Sequence, residues 1–109
     1  MSTLTIQFKN DGQQESLIVH GDLDMHSFPI FSAVMQSLSI TGAGVINIDL
    51  REVTSFNSPA MGALVLLATE RRARGGAMHL LCNEQGAVAP MIQRARLDTV
   101  LRMKFLAAD

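Results

Sequence analysis

VINIDLREVTSFNSPAMGALVLLATERRARGGAMHLLC, residues 45–82, decides the architecture. Val45 to Leu50 is a β-branched-rich run of strand length. Ser58-Pro59 opens a helix, because Ser is a good N-cap and Pro has its φ pre-set for the first turn. That helix runs to Gly75-Gly76, with Arg71, Arg72 and Arg74 at the end where cations suit the macrodipole, read as a solvated helix terminus. Met78 to Cys82 is again of strand length. Strand, helix, strand in this order is a βαβ unit, which demands parallel pairing and a right-handed crossover.

Upstream, Leu4, Ile6 and Phe8 alternate with polar residues, the period of a strand with one wet face. Asn10-Asp11-Gly12 supplies turn chemistry, and Leu17-Ile18-Val19 reads as a strand buried on both faces. These two strands form an antiparallel hairpin. Ser27 is the expected N-cap of a helix with Pro29 in its first turn and Phe31, Val34, Met35 and Leu38 on one face. Thr41-Gly42-Ala43-Gly44 stops it. Downstream, a third helix follows Gly86 with Val88, Met91, Ile92 and Ala95 on one face, and Leu101, Met103 and Phe105 alternate with Arg102 and Lys104 in a closing edge strand. The fold class is therefore α/β, a mostly parallel mixed sheet with one antiparallel N-terminal strand, in the order β-β-α-β-α-β-α-β, as one domain over residues 1–109.

Nine Lys and Arg against ten Asp and Glu give a formal charge of −1, without the basic excess of a nucleic-acid binder. The longest nearly apolar run, Ala60 to Ala68, is about half of the roughly 20 residues a membrane span needs, so no insertion is expected. The opening Met-Ser-Thr-Leu-Thr lacks the regions of a secretory signal, and the single Cys82 fits a reducing compartment, so a cytoplasmic location is expected. His20, His26, His79 and Cys82 show no metal-ligand spacing, and neither a metal nor a cofactor is expected. Gly42-Ala43-Gly44 precedes a strand, where a dinucleotide fingerprint would follow one.

In open α/β sheets, ligands and partners meet the loops at the carboxyl ends of the parallel strands. These are Gly21 to Ser27, Arg51 to Ser58 and Asn83 to Gly86, and they carry Asp22, Asp24, Asn57, Ser58, Asn83 and Glu84. Ser58 stands in no GxSxG elbow and has no histidine in plausible reach, so the chain is not expected to be an enzyme. The helix after Ser58 is apolar almost all round: burial is expected for Leu64, Val65 and Ala68, and Met61 and Leu66 are open between packing and docking. Met25 and Phe28, beside Asp24, admit the same two readings.

Asp49-Leu50, Val53-Thr54, Phe56, Asn57-Ser58, Met61 and Gly62 fall without a gap on a pattern that resembles the STAS domain, the fold of bacterial anti-sigma factor antagonists and of sulfate-transporter tails. Gly21-Asp22-Leu23-Asp24, Arg71-Arg72-Ala73-Arg74-Gly75-Gly76 and Arg96-Leu97-Asp98 match further stretches of that pattern, so the resemblance covers nearly the whole chain. Asn57, Pro59 and Ala60 stand where the pattern has Asp, Ser or Thr, and Gly. The resemblance implies a partner-switching regulator. Unphosphorylated, it would bind a serine-kinase anti-sigma factor of the GHKL type; phosphorylation of Ser58 would release it, and a phosphatase would reset it. The implied partner-binding set is Asp22, Asp24, Met25, Phe28, Asn57, Ser58, Pro59, Met61 and Asn83, with weak self-association as a further expectation. The alternative within the fold is a small STAS subunit docking on the ATPase of an ABC-type lipid or solute transporter.

Overall fold

The structure is a computed structural model and describes residues 4–42 and 44–106. Strands β1 (Thr5–Asn10) and β2 (Glu15–Asp22) precede helix α1 (Phe28–Thr41). Strand β3 (Val45–Ser55), helix α2 (Ser58–Ala73), strand β4 (Ala77–Cys82), helix α3 (Val88–Arg94) and strand β5 (Arg102–Phe105) complete the expected order. β1 is antiparallel to β2 and every other neighbouring pair is parallel. The hairpin turn is held by Asp11, whose Oδ1 accepts from the backbone N–H of Gln13 at 2.9 Å and of Gln14 at 2.8 Å, while Gly12 takes a φ of +89°. Ala43, part of the expected helix stop, lies outside the described residues.

The spatial strand order equals the chain order, β1-β2-β3-β4-β5. Right-handed crossovers that all step in one direction place their helices on one face of the sheet. The burial pattern records this. Leu17 and Val19 on β2, Ile46, Ile48 and Leu50 on β3, and Met78, Leu80 and Cys82 on β4 are buried beneath the helices. Their alternates Ile18, Asn47, Asp49, His79 and Leu81 are only half-buried. The expectation of a β2 buried on both faces is therefore corrected: Ile18 lies on the uncovered side because the winding never reverses. For the same reason the described strands contain no topological switch point.

Three further readings change. β3 runs five residues past Leu50, so most of the expected loop from Arg51 onward is strand, with register shifts against β2 near Ile18/His20 and Gly21/Asp22. Val65 is half-buried, not buried; Leu64, Leu67 and Ala68 carry the inner face of α2. Arg72 and Arg74 are solvated, but Arg71 is fully buried. Its Nη1 donates to Glu15 Oε1 at 2.6 Å and its Nη2 to the Leu38 carbonyl at 3.3 Å, tying α2, β2 and α1 together. Two glycines make room for this junction. A Cβ on Gly42 would lie 1.9 Å from Arg71 Nη2, and one on Gly76 would lie 2.1 Å from the Gly44 carbonyl oxygen.

A candidate docking surface at the head of the second helix

Asp22 ends β2, half-buried, and its Oδ1 accepts a hydrogen bond from the Thr54 hydroxyl on β3. One residue on, the Leu23 N–H donates to the Ser55 carbonyl at 2.9 Å, so the carboxyl ends of the two strands are fastened side by side. The carboxylate of Asp24 then folds the loop. Its Oδ1 accepts from the backbone N–H of His26 and of Ser27, both at 3.0 Å, and its carbonyl accepts from Phe28 N–H at 2.9 Å. The Ser27 hydroxyl accepts from Asp24 N–H and donates to the Asp22 carbonyl at 2.7 Å. Ser27 holds the expected N-cap position of α1, but its backbone is already in the αR region and its side chain makes no cap bond. Asp24, three residues earlier, holds the turn that leads into the helix, its one carboxylate oxygen accepting from two N–H groups at once. Those backbone hydrogen bonds, that of Ser27 first, hold the Asp24 carboxyl below its ordinary value. Met25 projects from this loop with 79% of its surface exposed, and Phe28 is half-buried against the core.

At the β3–α2 junction the cap is displaced from the expected residue. Asn57, with extended φ and ψ, is the N-cap of α2, and its Oδ1 accepts from Ala60 N–H at 2.9 Å. Ser58, expected in that role, sits one residue inside the helix with its side chain exposed. Pro59 follows as the second helical residue and offers no N–H. Met61 N–H is taken by the Asn57 carbonyl at 3.3 Å. Ala60 and Met61 N–H groups are thus both taken by Asn57, and Pro59 has none to offer. The Asn57 Nδ2 is buried without a hydrogen-bond partner among the described residues, since its Oδ1 is committed to the cap.

From Ser58 an exposed stripe runs along α2 through Gly62, Leu66 and Thr69, at i, i+4, i+8 and i+11. Leu66, open between packing and docking in the sequence, is 47% exposed, and half-buried Met61 and Val65 flank the stripe. A Cβ on Gly62 would meet nothing within 4 Å, so packing does not require glycine there. Asn83 is placed differently. Its Oδ1 accepts from Gln85 N–H at 3.1 Å, its carbonyl accepts from Gly86 N–H at 2.9 Å, and it lines a cleft of about 340 Å³ with Glu84, Gln85, Phe105 and Leu106. None of residues 22–28 or 57–62 lines that cleft. Thr54, which fastens Asp22, entered the sequence reading only through the Val53-Thr54 match to the family pattern and was not among the expected site residues.

Other chemistry is sparse here. Among the described residues no group of three or more His, Cys, Asp and Glu could hold a metal, and no helix is long and apolar enough to cross a membrane. Burial first, and the Asp49 charge second, push the Cys82 thiol up to about 11. Asp49 and Arg51 form an ion pair on the uncovered sheet face, with Nε at 3.0 Å and Nη2 at 2.9 Å from the two carboxylate oxygens. Burial raises the Asp49 carboxyl, and the hydrogen bonds and charge of Arg51 outweigh it, so the net direction is down.

A mixed sheet in this strand order with three helices is the architecture of a STAS domain. The chain belongs to that family: the group described as Mlab, STAS domain, matches residues 6–104. The fold is shared with a crystal structure of an anti-sigma factor antagonist from Mycobacterium paratuberculosis, at a TM-score of 0.84 and 17% identity, over 98% of this chain and 89% of that one. It is shared also with the unphosphorylated anti-sigma factor antagonist SpoIIAA, at 0.70 and 16%, over 94% and 90%. A putative anti-sigma factor antagonist from Thermotoga maritima aligns at 0.77 and 18%, over 90% and 84%. No curated protein matches the chain by sequence.

Proposed function

We propose that this chain is a cytoplasmic, non-catalytic anti-sigma factor antagonist. Its docking surface is the Ser58 end of α2 together with the Met25 loop, and its partner is a serine-kinase anti-sigma factor of the GHKL type. Ser58 is the phosphoacceptor, and a phosphatase restores the binding form. The observation that carries this reading is the division of labour at the junction: Asn57 caps the helix, so the Ser58 hydroxyl is exposed and owes nothing to the fold. A phosphate there adds roughly −1.5 to −2 charge at neutral pH. Ala60 N–H is already bonded to Asn57 and Pro59 has none, so the helix start offers few donors to fold that charge back onto the domain. The dianion stays at the surface at the head of the stripe that leads to Leu66, where a close-packed partner would have to strip its water. Asp22 and Asp24 act in this reading through the loop they shape, with Phe28 packed beneath it. Asn57 and Pro59 set the angle at which Ser58 is presented, and Asn83 contributes from the neighbouring loop.

The test uses the unmodified chain and Ser58→Glu as baits in a lysate of the source cells, with intact-mass analysis of Ser58 occupancy after incubation with ATP. Wild type should retain a GHKL-type kinase and gain one phosphate; Ser58→Glu should retain the fold and lose the kinase. Equal capture by both removes the switch. A second reading, the subunit docking on an ABC-type transporter ATPase, draws on the Asn57-Ser58-Pro59-Ala60 sequence itself. A junction stiffened by Pro59 and lacking a carboxylate suits permanent contact better than modification. Recovery of a transporter ATPase, equally by both baits, would select it.

A further inference from the structure

The two edges of the sheet are built differently. β5 is four residues long and carries exposed Arg102 and Lys104, the usual protection of an edge against pairing with another strand. β1 is six residues long, contains no proline and keeps an unbroken register against β2 from Thr5↔His20 to Asn10↔Glu15. Its outer row of main-chain N–H and C=O groups faces no other strand among the described residues. Beside this edge, between β1 and α1, lies a groove of about 650 Å³ whose apolar walls include Leu4, Ile6, Phe8, Ile30, Val34 and Leu38. α1 has no charged side chain along its whole length, Phe28 to Thr41, and exposes 61% of Ile30 and 75% of Ile40. In a chain with nine basic and ten acidic residues, an uncharged surface helix beside a regular edge strand whose one charge, Lys9, falls on the open sheet face is a distinct face.

We propose that this face binds a second copy of the same chain, β1 pairing antiparallel with β1 of the other copy to continue the sheet across a two-fold axis. Three features select this occupant. The edge needs a strand, because only a strand satisfies a row of alternating donors and acceptors. The strand must place apolar residues toward the groove and polar ones toward the open sheet face, and β1 has that alternation itself: Leu4, Ile6 and Phe8 against Thr5, Gln7 and Lys9. The face's electrostatics also fit a copy of itself. A pairing centred on Gln7 sets Ile6 opposite Phe8 of the second copy and Thr5 opposite its Lys9, so no like charges meet along the strand. Neutral α1 gives an oppositely charged partner nothing to attract it, while it lets two copies approach without repulsion. The contact uses neither Ser58 nor Leu66 and stands independently of the proposed partner.

Sedimentation equilibrium on the full chain tests it, with Phe8→Lys, Ile30→Lys and, on the other face, Leu66→Lys. Wild type should show a reversible monomer–dimer equilibrium. Phe8→Lys and Ile30→Lys should each raise the dimer dissociation constant by at least about tenfold, with circular-dichroism melts close to wild type. Leu66→Lys should leave the equilibrium unchanged. Should Phe8→Lys misfold, Ile30→Lys decides alone, since its side chain already lies mostly in solvent. A wild type that stays monomeric to about 1 mM overturns the proposal. So does a dimer that survives both β1/α1 substitutions, a dimer lost only with Leu66→Lys, or a monomer that instead takes a foreign extended peptide along β1.

Discussion

Replacing Glu15 by glutamine would leave the Arg71 guanidinium fully buried and without the carboxylate that lies 2.6 Å from it. Breaking one side of a buried ion pair costs about 3–5 kcal/mol, because the surviving charge keeps its desolvation and loses its attraction. Glu15 retains 17% exposure of its side chain, so water can relax part of the loss, and the low end, about 3 kcal/mol, is expected. For a domain near this length that corresponds to a Tm lowered by roughly 10–20 °C. Urea denaturation should show an earlier midpoint at unchanged slope, since the folded and unfolded states expose the same surface as before. The pair Glu15→Leu with Arg71→Met should recover most of the loss, because an apolar replacement of a buried pair is often neutral or better. Gly42→Ala sharpens the test. Its Cβ would stand 1.9 Å from Arg71 Nη2, so it should be costly in wild type and far cheaper once Arg71→Met has removed the guanidinium. A Glu15→Gln protein less than about 1 kcal/mol below wild type would falsify the view that this pair clamps β2 to the ends of α1 and α2.

Asn57→Ala should cost about 1 kcal/mol through loss of the helix cap, whereas Ser58→Ala should stay within about 0.5 kcal/mol; the reverse order in chemical denaturation would return the cap to Ser58. Burial first, then the charges of Lys104 and Arg102, hold the His79 imidazole below its ordinary 6.5. The unfolded chain therefore takes up that proton sooner than the folded one, and stability should fall as pH drops below 6.5; His79→Asn should flatten that decline in melts taken across the window. A further loss is expected below 3.8, where the depressed Asp49 carboxyl is still ionised in the folded chain but its unfolded counterpart is protonated. The Cys82 thiol, buried and raised to about 11, should resist an aromatic disulfide reagent at pH 7 until the protein unfolds; prompt native labelling would contradict its burial.

Much of the molecule could be read in its residues. Period-2 alternation in 4–8, β-branched runs at 17–19 and 45–50, and helical spacing from Phe31 to Leu38 are local signals, so element order, strand direction and family pattern followed from the chain alone. The candidate surface was legible in the same way, because Asn57-Ser58-Pro59 and Gly21-Asp22-Leu23-Asp24 mark strand-to-helix junctions by turn and cap chemistry. Which cap was used was not legible. Asp24 and Ser27, like Asn57 and Ser58, are both good cap residues within one turn, and only the closing geometry of the loop selects the acceptor that reaches the open N–H groups. Nor could sequence distinguish Arg71 from Arg72 and Arg74. Three arginines at a helix end look alike until neighbouring α1 and the start of β2 enclose one of them.

The sequence by itself determined where strands and helices lie and where the polar junctions fall, because backbone propensity and side-chain periodicity act over a few residues. Tertiary structure alone decided that the sheet is covered on one side, that Ser58 is released from capping and exposed, and that β1 is an edge of the sheet among the described residues. Those outcomes depend on which strands become neighbours and in what direction the chain winds, and no short stretch of residues carries that information.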